Sequence, residues 1–227
     1  MVTTANTNLA IVIGGADTGS IILAGFIYYL TRNPRVYDIL TSEIRTKFSS
    51  VDEIHIGSKL SSCHYLRACI DEALRMCPPV PTDLPRVTLK GGATIDREFV
   101  PENICVGTSI CALHYNERYH PDPWTFKPER WIVRDHVTKE DVARENSAFY
   151  PFSFGPGNCV GMKLAIMELS IAVARLLYKM DVAAVDSAER DTSMLKGTEL
   201  ENKHGLFPLK NLYVAQRDGP LARFKRR

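Results

Sequence analysis

Cys159 stands in the run PFSFGPGNCVGM, residues 151–162, among glycines, prolines and phenylalanines. Gly155, Gly157 and Gly161 permit backbone conformations and close approaches that a side chain would block, and Pro156 stiffens the loop between them. The cysteine falls at the predicted start of a long apolar helix, where free N–H groups and the helix dipole stabilise a thiolate. A thiolate held this way, beside a flat glycine-lined space and Phe152, has the chemistry of an axial ligand to haem iron. The same residues also fit a buried structural cysteine in a Gly/Pro turn, and the run alone does not separate the two.

Two further groups of residues have chemical potential. In Glu72-Ala73-Leu74-Arg75 the i, i+3 spacing puts carboxylate and guanidinium on one helix face, and apolar neighbours imply burial. A buried pair needs more partners, and Pro128-Glu129-Arg130-Trp131 offers a second arginine. In GGADTGS, residues 14–20, Gly14 and Gly15 leave room beside a helix for a flat ligand. Asp17 and Thr18 there form an acid–alcohol pair suited to proton relay. Taken singly, this stretch is better explained by a helix-packing glycine pair with an incidental polar notch.

The elements that must carry these residues follow from pattern. Leu9 to Leu30 is long and apolar enough for a membrane span, but Asp17 near its middle would be costly in lipid. A helix buried in protein on most sides, with Asp17 facing something polar, is expected instead. Asn33-Pro34 breaks the run and starts a helix through about Lys47; another is expected over 62–76, stopped by Pro78-Pro79. From Pro85 to about Cys111, short apolar runs between glycines and Pro101 predict a small sheet. The stretch from Cys159 to Tyr178 is apolar on nearly all faces and predicts a core helix, and GLFPLKNLYVAQRDG a closing hairpin.

The 227 residues can bury a real core, and a net charge of +2 gives no reason to expect nucleic acid as a partner. The basic tail RFKRR, residues 223–227, is read as solvated and frayed. None of the six cysteines forms a C-x-x-C pair, which argues against a zinc ribbon or a thioredoxin-type site. With no signal peptide opening the chain, a reducing compartment with free thiols is expected.

Taken in order, GGADTGS, EALR, PERW and FSFGPGNCVG resemble the C-terminal half of a cytochrome P-450 of the filamentous-fungal type. PPVPTDLPR and HYNERYHPDPWTFKPERW fit the same family, and the resemblance covers 1–227 as one partial domain. It implies a mainly α fold with a small β-sheet region. It implies haem b with Cys159 as its thiolate ligand, Phe152, Gly155 and Gly161 shaping the pocket, and Arg86 meeting a propionate. Asp17 and Thr18 would relay protons on the distal side. Glu72, Arg75 and Arg130 would form a buried structural triad, while Val80, Leu84 and Phe207 would border the substrate.

The implied activity is monooxygenation of a small hydrophobic molecule, in fungal secondary metabolism, with O₂ and electrons from an NADPH-dependent cytochrome P-450 reductase. The implied location is the cytosolic face of the endoplasmic reticulum where an N-terminal anchor exists, and otherwise the cytoplasm. Two positions depart from the family pattern: Gly157 replaces the usual basic residue of the cysteine signature, and Gly19 replaces a threonine or serine. Full members are much longer, so the alternative is a truncated, non-catalytic fragment with weak or no haem binding.

Overall fold

A computed structural model describes residues 4–185, 198–210, 214–217 and 219–227. Four helices open the chain: α1 (Thr4–Arg32), α2 (Pro34–Lys47), α3 (Ser58–Ser61) and α4 (His64–Met76). Short strands follow, β1 (Arg86–Val87), β2 (Ala93–Ile95), β3 (Glu98–Val100) and β4 (Cys105–Val106), then α5 (Ile110–His114) and a 3₁₀ turn at Pro128–Trp131. Next come α6 (Lys139–Asn146), a 3₁₀ turn at Gly155–Gly157, α7 (Met162–Lys179), β5 (Met180–Ala184) and α8 (Glu199–His204). The chain ends with β6 (Leu209–Lys210), β7 (Gln216–Arg217) and β8 (Ala222–Arg226). The described strands pair antiparallel as β1–β4, β2–β3, β5–β8 and β6–β7, so the fold is mainly α with small sheets.

The core is built around α4. Pro34 sits in the first turn of α2, where its missing N–H costs nothing, and Val36, Leu40 and Ile44 recur at four-residue spacing on the buried face. Helix α4 is buried over most of its circumference; only His64, Arg67 and Asp71 line an outward stripe, with Arg67 Nε 2.8 Å from Asp71 Oδ2. Leu66, Ile70 and Leu74 of α4 share one apolar cluster with Leu40 and Ile44 of α2, Phe26 and Leu30 of α1, and Val173 and Leu177 of α7. Each fully buried side chain of this kind is worth about 1.5–3 kcal/mol relative to exposure. Cys77-Pro78-Pro79 ends α4, with Cys77 N–H donating to the Ala73 carbonyl.

Several elements differ from expectation. In α1, Val12 and residues 14–17 are exposed, and full burial begins at Ile21. No helix among the described residues is long and apolar enough to cross a membrane. The segment after β4 turns helical as α5, because Ser109 at its N-cap accepts from Ala112 N–H. Helix α7 starts at Met162 rather than Cys159 and buries only Leu169, Val173, Ala174 and Leu177; Met162, Lys163 and Leu164 face outward. The basic tail is not frayed: Ala222–Arg226 forms β8, paired along β5 from Met180↔Arg226 to Ala184↔Ala222. The closing hairpin is present as β6–β7, with residues 211–213 and 218 outside the described ones.

Candidate functional site

Cys159 lies in the turn leading into α7. Its N–H donates to the Phe152 carbonyl at 2.9 Å, pinning the far end of the loop to its start, and its own carbonyl accepts from Met162 N–H. Gly155 adopts φ +77°, a left-handed conformation that favours glycine. The Cys159 sulfur is 3.7 Å from where a Cβ at Gly161 would lie, over the first turn of the helix. Unlike Cys63, Cys69 and Cys77, which are buried, Cys159 is exposed. Cys159 is thus not in a buried turn, and Cys105 of β4 is exposed as well.

Several exposed side chains flanking Cys159 in sequence are apolar, beside the polar Asn158 and Lys163. Phe154 is 75% exposed and Val160 101%, with Met162 and Leu164 also open, while Phe152 packs partly into the core. A guanidinium joins them: Arg86 Nη2 is 3.1 Å from where a Cβ at Gly157 would stand. The same guanidinium donates to the carbonyls of Leu84 and Pro85, folding it back along its own strand. A soft thiol donor, an apolar lining and an edge guanidinium fit an iron porphyrin, whose carboxylates need a cation. Among the described residues no group of three or more His, Cys, Asp or Glu could hold a metal, so the remaining donors would have to come with the cofactor.

The structure places the other candidates in three settings. Asp17 is exposed on α1, and the Thr18 hydroxyl donates to the Gly14 carbonyl at 2.6 Å. Open space surrounds Gly14, Gly15 and Gly19. Val80 and Leu84 are half-buried between α4 and β1. Phe207 is 3% exposed, packs against Tyr28 at 5.1 Å between ring centroids, and donates its N–H to the Tyr29 hydroxyl. It therefore sits in the core beneath α1. Two clefts, lined by Arg32–Val36 with Asp122–Lys127 and by Tyr178–Met180 with Arg226 and Arg227, do not include Cys159.

Glu72, Arg75 and Arg130 are brought together without exposure to solvent. Arg75 grips Glu72 with two parallel bonds, Nε to Oε2 at 3.0 Å and Nη2 to Oε1 at 2.9 Å, and Arg130 Nε reaches Oε1 at 3.1 Å. Lys127 N–H and Trp131 Nε1–H complete five donors to one carboxylate. Burial alone would disfavour a charged Glu72, but Arg75 and Arg130 outweigh it and hold its pKa below the ordinary value.

Sequence reasoning missed the continuation of this network. Arg130 Nη1 also binds Glu145 Oε1 at 2.9 Å, Glu145 pairs with buried His120 Nδ1, and buried His114 sits against Arg75. Both histidines lie in a proline-rich stretch whose pattern is that of a loop, so nothing local marked them as interior.

The sequence of this fold matches a haem-thiolate class of protein. The chain belongs to the cytochrome P-450 family, whose model matches residues 3–206, and the part described is the C-terminal portion of that fold. It is 42% identical over 218 residues to the cytochrome P-450 monooxygenase apf8 of Gibberella fujikuroi, covering 96% of this chain and 58% of that protein. It is 40% identical to apf7 of the same species, covering 98% of this chain and 42% of that one. Against the cytochrome P-450 monooxygenase poxM of Penicillium oxalicum it is 43% identical over 175 residues, 77% of this chain and 33% of the other. The chain thus spans between about a third and three-fifths of the length of these relatives.

Proposed function

We propose that this chain carries the thiolate-bearing part of a fungal monooxygenase acting on a small hydrophobic molecule, in secondary metabolism: RH + O₂ + two electrons + two protons give ROH + H₂O. The observation that supports it most is the exposed Cys159 on an apolar loop with the Arg86 guanidinium at its edge. Haem b bound here would supply dioxygen activation, and the protein would supply binding, orientation and electrostatics. Cys159 would ligate the iron as thiolate from the turn that leads into α7. Phe152, Gly155 and Gly161 would border the macrocycle, and Arg86 would donate charge-assisted hydrogen bonds to a propionate. Asp17 and the Thr18 hydroxyl would hold and pass protons from α1. Val80 and Leu84 would border the substrate, whereas the burial of Phe207 supports a packing role for it. An NADPH-dependent cytochrome P-450 reductase would be the electron donor.

A second reading, a non-catalytic fragment with weak or no haem binding, is favoured by Gly157, which leaves residues 151–162 without a basic side chain to join Arg86. A carbon monoxide difference spectrum of the reduced protein decides between them. The expected result is a long-wavelength Soret band that disappears in Cys159→Ala, with haem retention about tenfold or more weaker in Arg86→Ala. Absence of haem uptake by the unaltered protein leaves the second reading standing.

A further inference from the structure

We propose that His114 is a positioning residue for the cysteine loop: its imidazole ties the Arg75 carbonyl, at the end of α4, to the Tyr150 amide, where the loop leaves the core. His114 is the last residue of α5 and has no exposure. Its Nδ1 lies 3.0 Å from the Arg75 carbonyl, which only accepts, so Nδ1 carries the proton. Its Nε2 lies 3.1 Å from the Tyr150 amide nitrogen, which only donates, so Nε2 is bare. Only the neutral Nδ1–H tautomer satisfies both partners. Burial, then the adjacent Arg75 charge, push its pKa down to about 3, in keeping with that assignment.

The contacts lead from the buried triad to the ligand. Arg75 holds His114 in return, donating from Nη1 to its carbonyl at 2.9 Å. Tyr150 accepts from Ser153 N–H, and Phe152 accepts from Cys159 N–H. The ring is thus three hydrogen-bonded steps from the amide of Cys159. The charged and titratable groups facing it are Arg75 and Glu72 of α4 and His120, with Glu145 and Arg130 beyond. A proton on Nε2 would set one N–H against another, so the anchor needs a neutral ring.

The inference rests on Cys159 as the iron ligand, but its first tests need no haem. Glutamine places an amide oxygen near the Nε2 position and keeps an acceptor for Tyr150; asparagine reaches only the Nδ1 position. In His114→Asn, Tyr150 amide exchange with deuterium accelerates about tenfold or more, while His114→Gln stays near the unaltered protein. Alkylation of Cys159, followed in a Cys105→Ser, Cys111→Ser background, changes in the same order. Equal behaviour of the two variants overturns the proposal. So does a charged ring or an Nε2–H tautomer at pH 5 in the nitrogen-15 spectrum of the unsubstituted protein, a result that needs no variant to fold. In haem-loaded protein, His114→Asn shifts the reduction potential and His114→Gln restores it. An unshifted potential shows that the anchor stops short of the ligand and also overturns the proposal; failure to load haem at all counts against the ligand assignment and leaves the exchange, alkylation and nitrogen-15 results to decide on His114.

Discussion

Glu72 takes five hydrogen bonds inside the protein, from two arginines, a backbone amide and an indole. Removing the carboxylate strands Arg75 and Arg130 in an interior that cannot solvate them. Glu72→Ala is expected to cost about 3–5 kcal/mol in urea denaturation. His114 makes a different prediction. Its pKa is about 3 folded against an ordinary value of 6.5, so between these values the unfolded chain binds the extra proton. Stability therefore rises with pH across that window, is fully present above about 6.5, and falls as acid is added. The slope reaches ~1.4 kcal/mol per pH unit for one such group. Glu72, also depressed, contributes loss only below its ordinary value of 4.5, whereas burial raises Asp71 above 3.8 and acts in the opposite sense, so the histidine is read as the difference from His114→Gln. In His114→Gln the slope across that window flattens; an unchanged slope would mean the ring is not held neutral.

At the scale of elements, two contacts deserve a quantitative test. Helix α1 meets the end of α4 through Gly25, where an added Cβ would lie 2.6 Å from the Cys77 sulfur and 2.9 Å from its Cβ. Gly25→Ala is expected to destabilise by about 1–3 kcal/mol through overpacking, with partial recovery in the Gly25→Ala, Cys77→Ala double variant. The basic tail forms the outer strand on β5, whose Asp181 also pairs with Arg45 at 2.7 Å. Deleting residues 222–227 removes that ladder, and a loss of a few kcal/mol in the same denaturation measurement is expected from several hydrogen bonds of about 0.5–1.5 kcal/mol each. The charge run in RFKRR suggested solvation, and the side chains are indeed exposed, but the backbone found a partner far away in sequence. Strand pairing of this range leaves little local trace.

For the whole molecule, both elements that carry the candidate chemistry leave apolar side chains uncovered. Val12 on α1 and Phe154, Val160 and Leu164 around Cys159 present apolar side chains to solvent. Monomeric proteins seldom leave such surface open. Val160→Glu is expected to change folding stability by less than about 0.5 kcal/mol, since its side chain is fully exposed, while lowering hydrophobic-dye binding. A large loss of stability would show that Val160 belongs to a packed interior.

The order of GGADTGS, EALR, PERW and the cysteine run was enough to establish the family, because each motif depends on residue type and short spacing. Helices α2 and α4 were legible for a similar reason: periodicity and proline are local signals. The buried state of Glu72 and Arg75 could be suspected from their apolar neighbours. The tertiary structure alone decided that Cys159 is exposed, that Phe207 is core, and that His114 and His120 join the triad. Those outcomes depend on which distant segment arrives beside a residue. Burial and hydrogen-bond partners are set by that arrival, and no pattern within the loop itself encodes it.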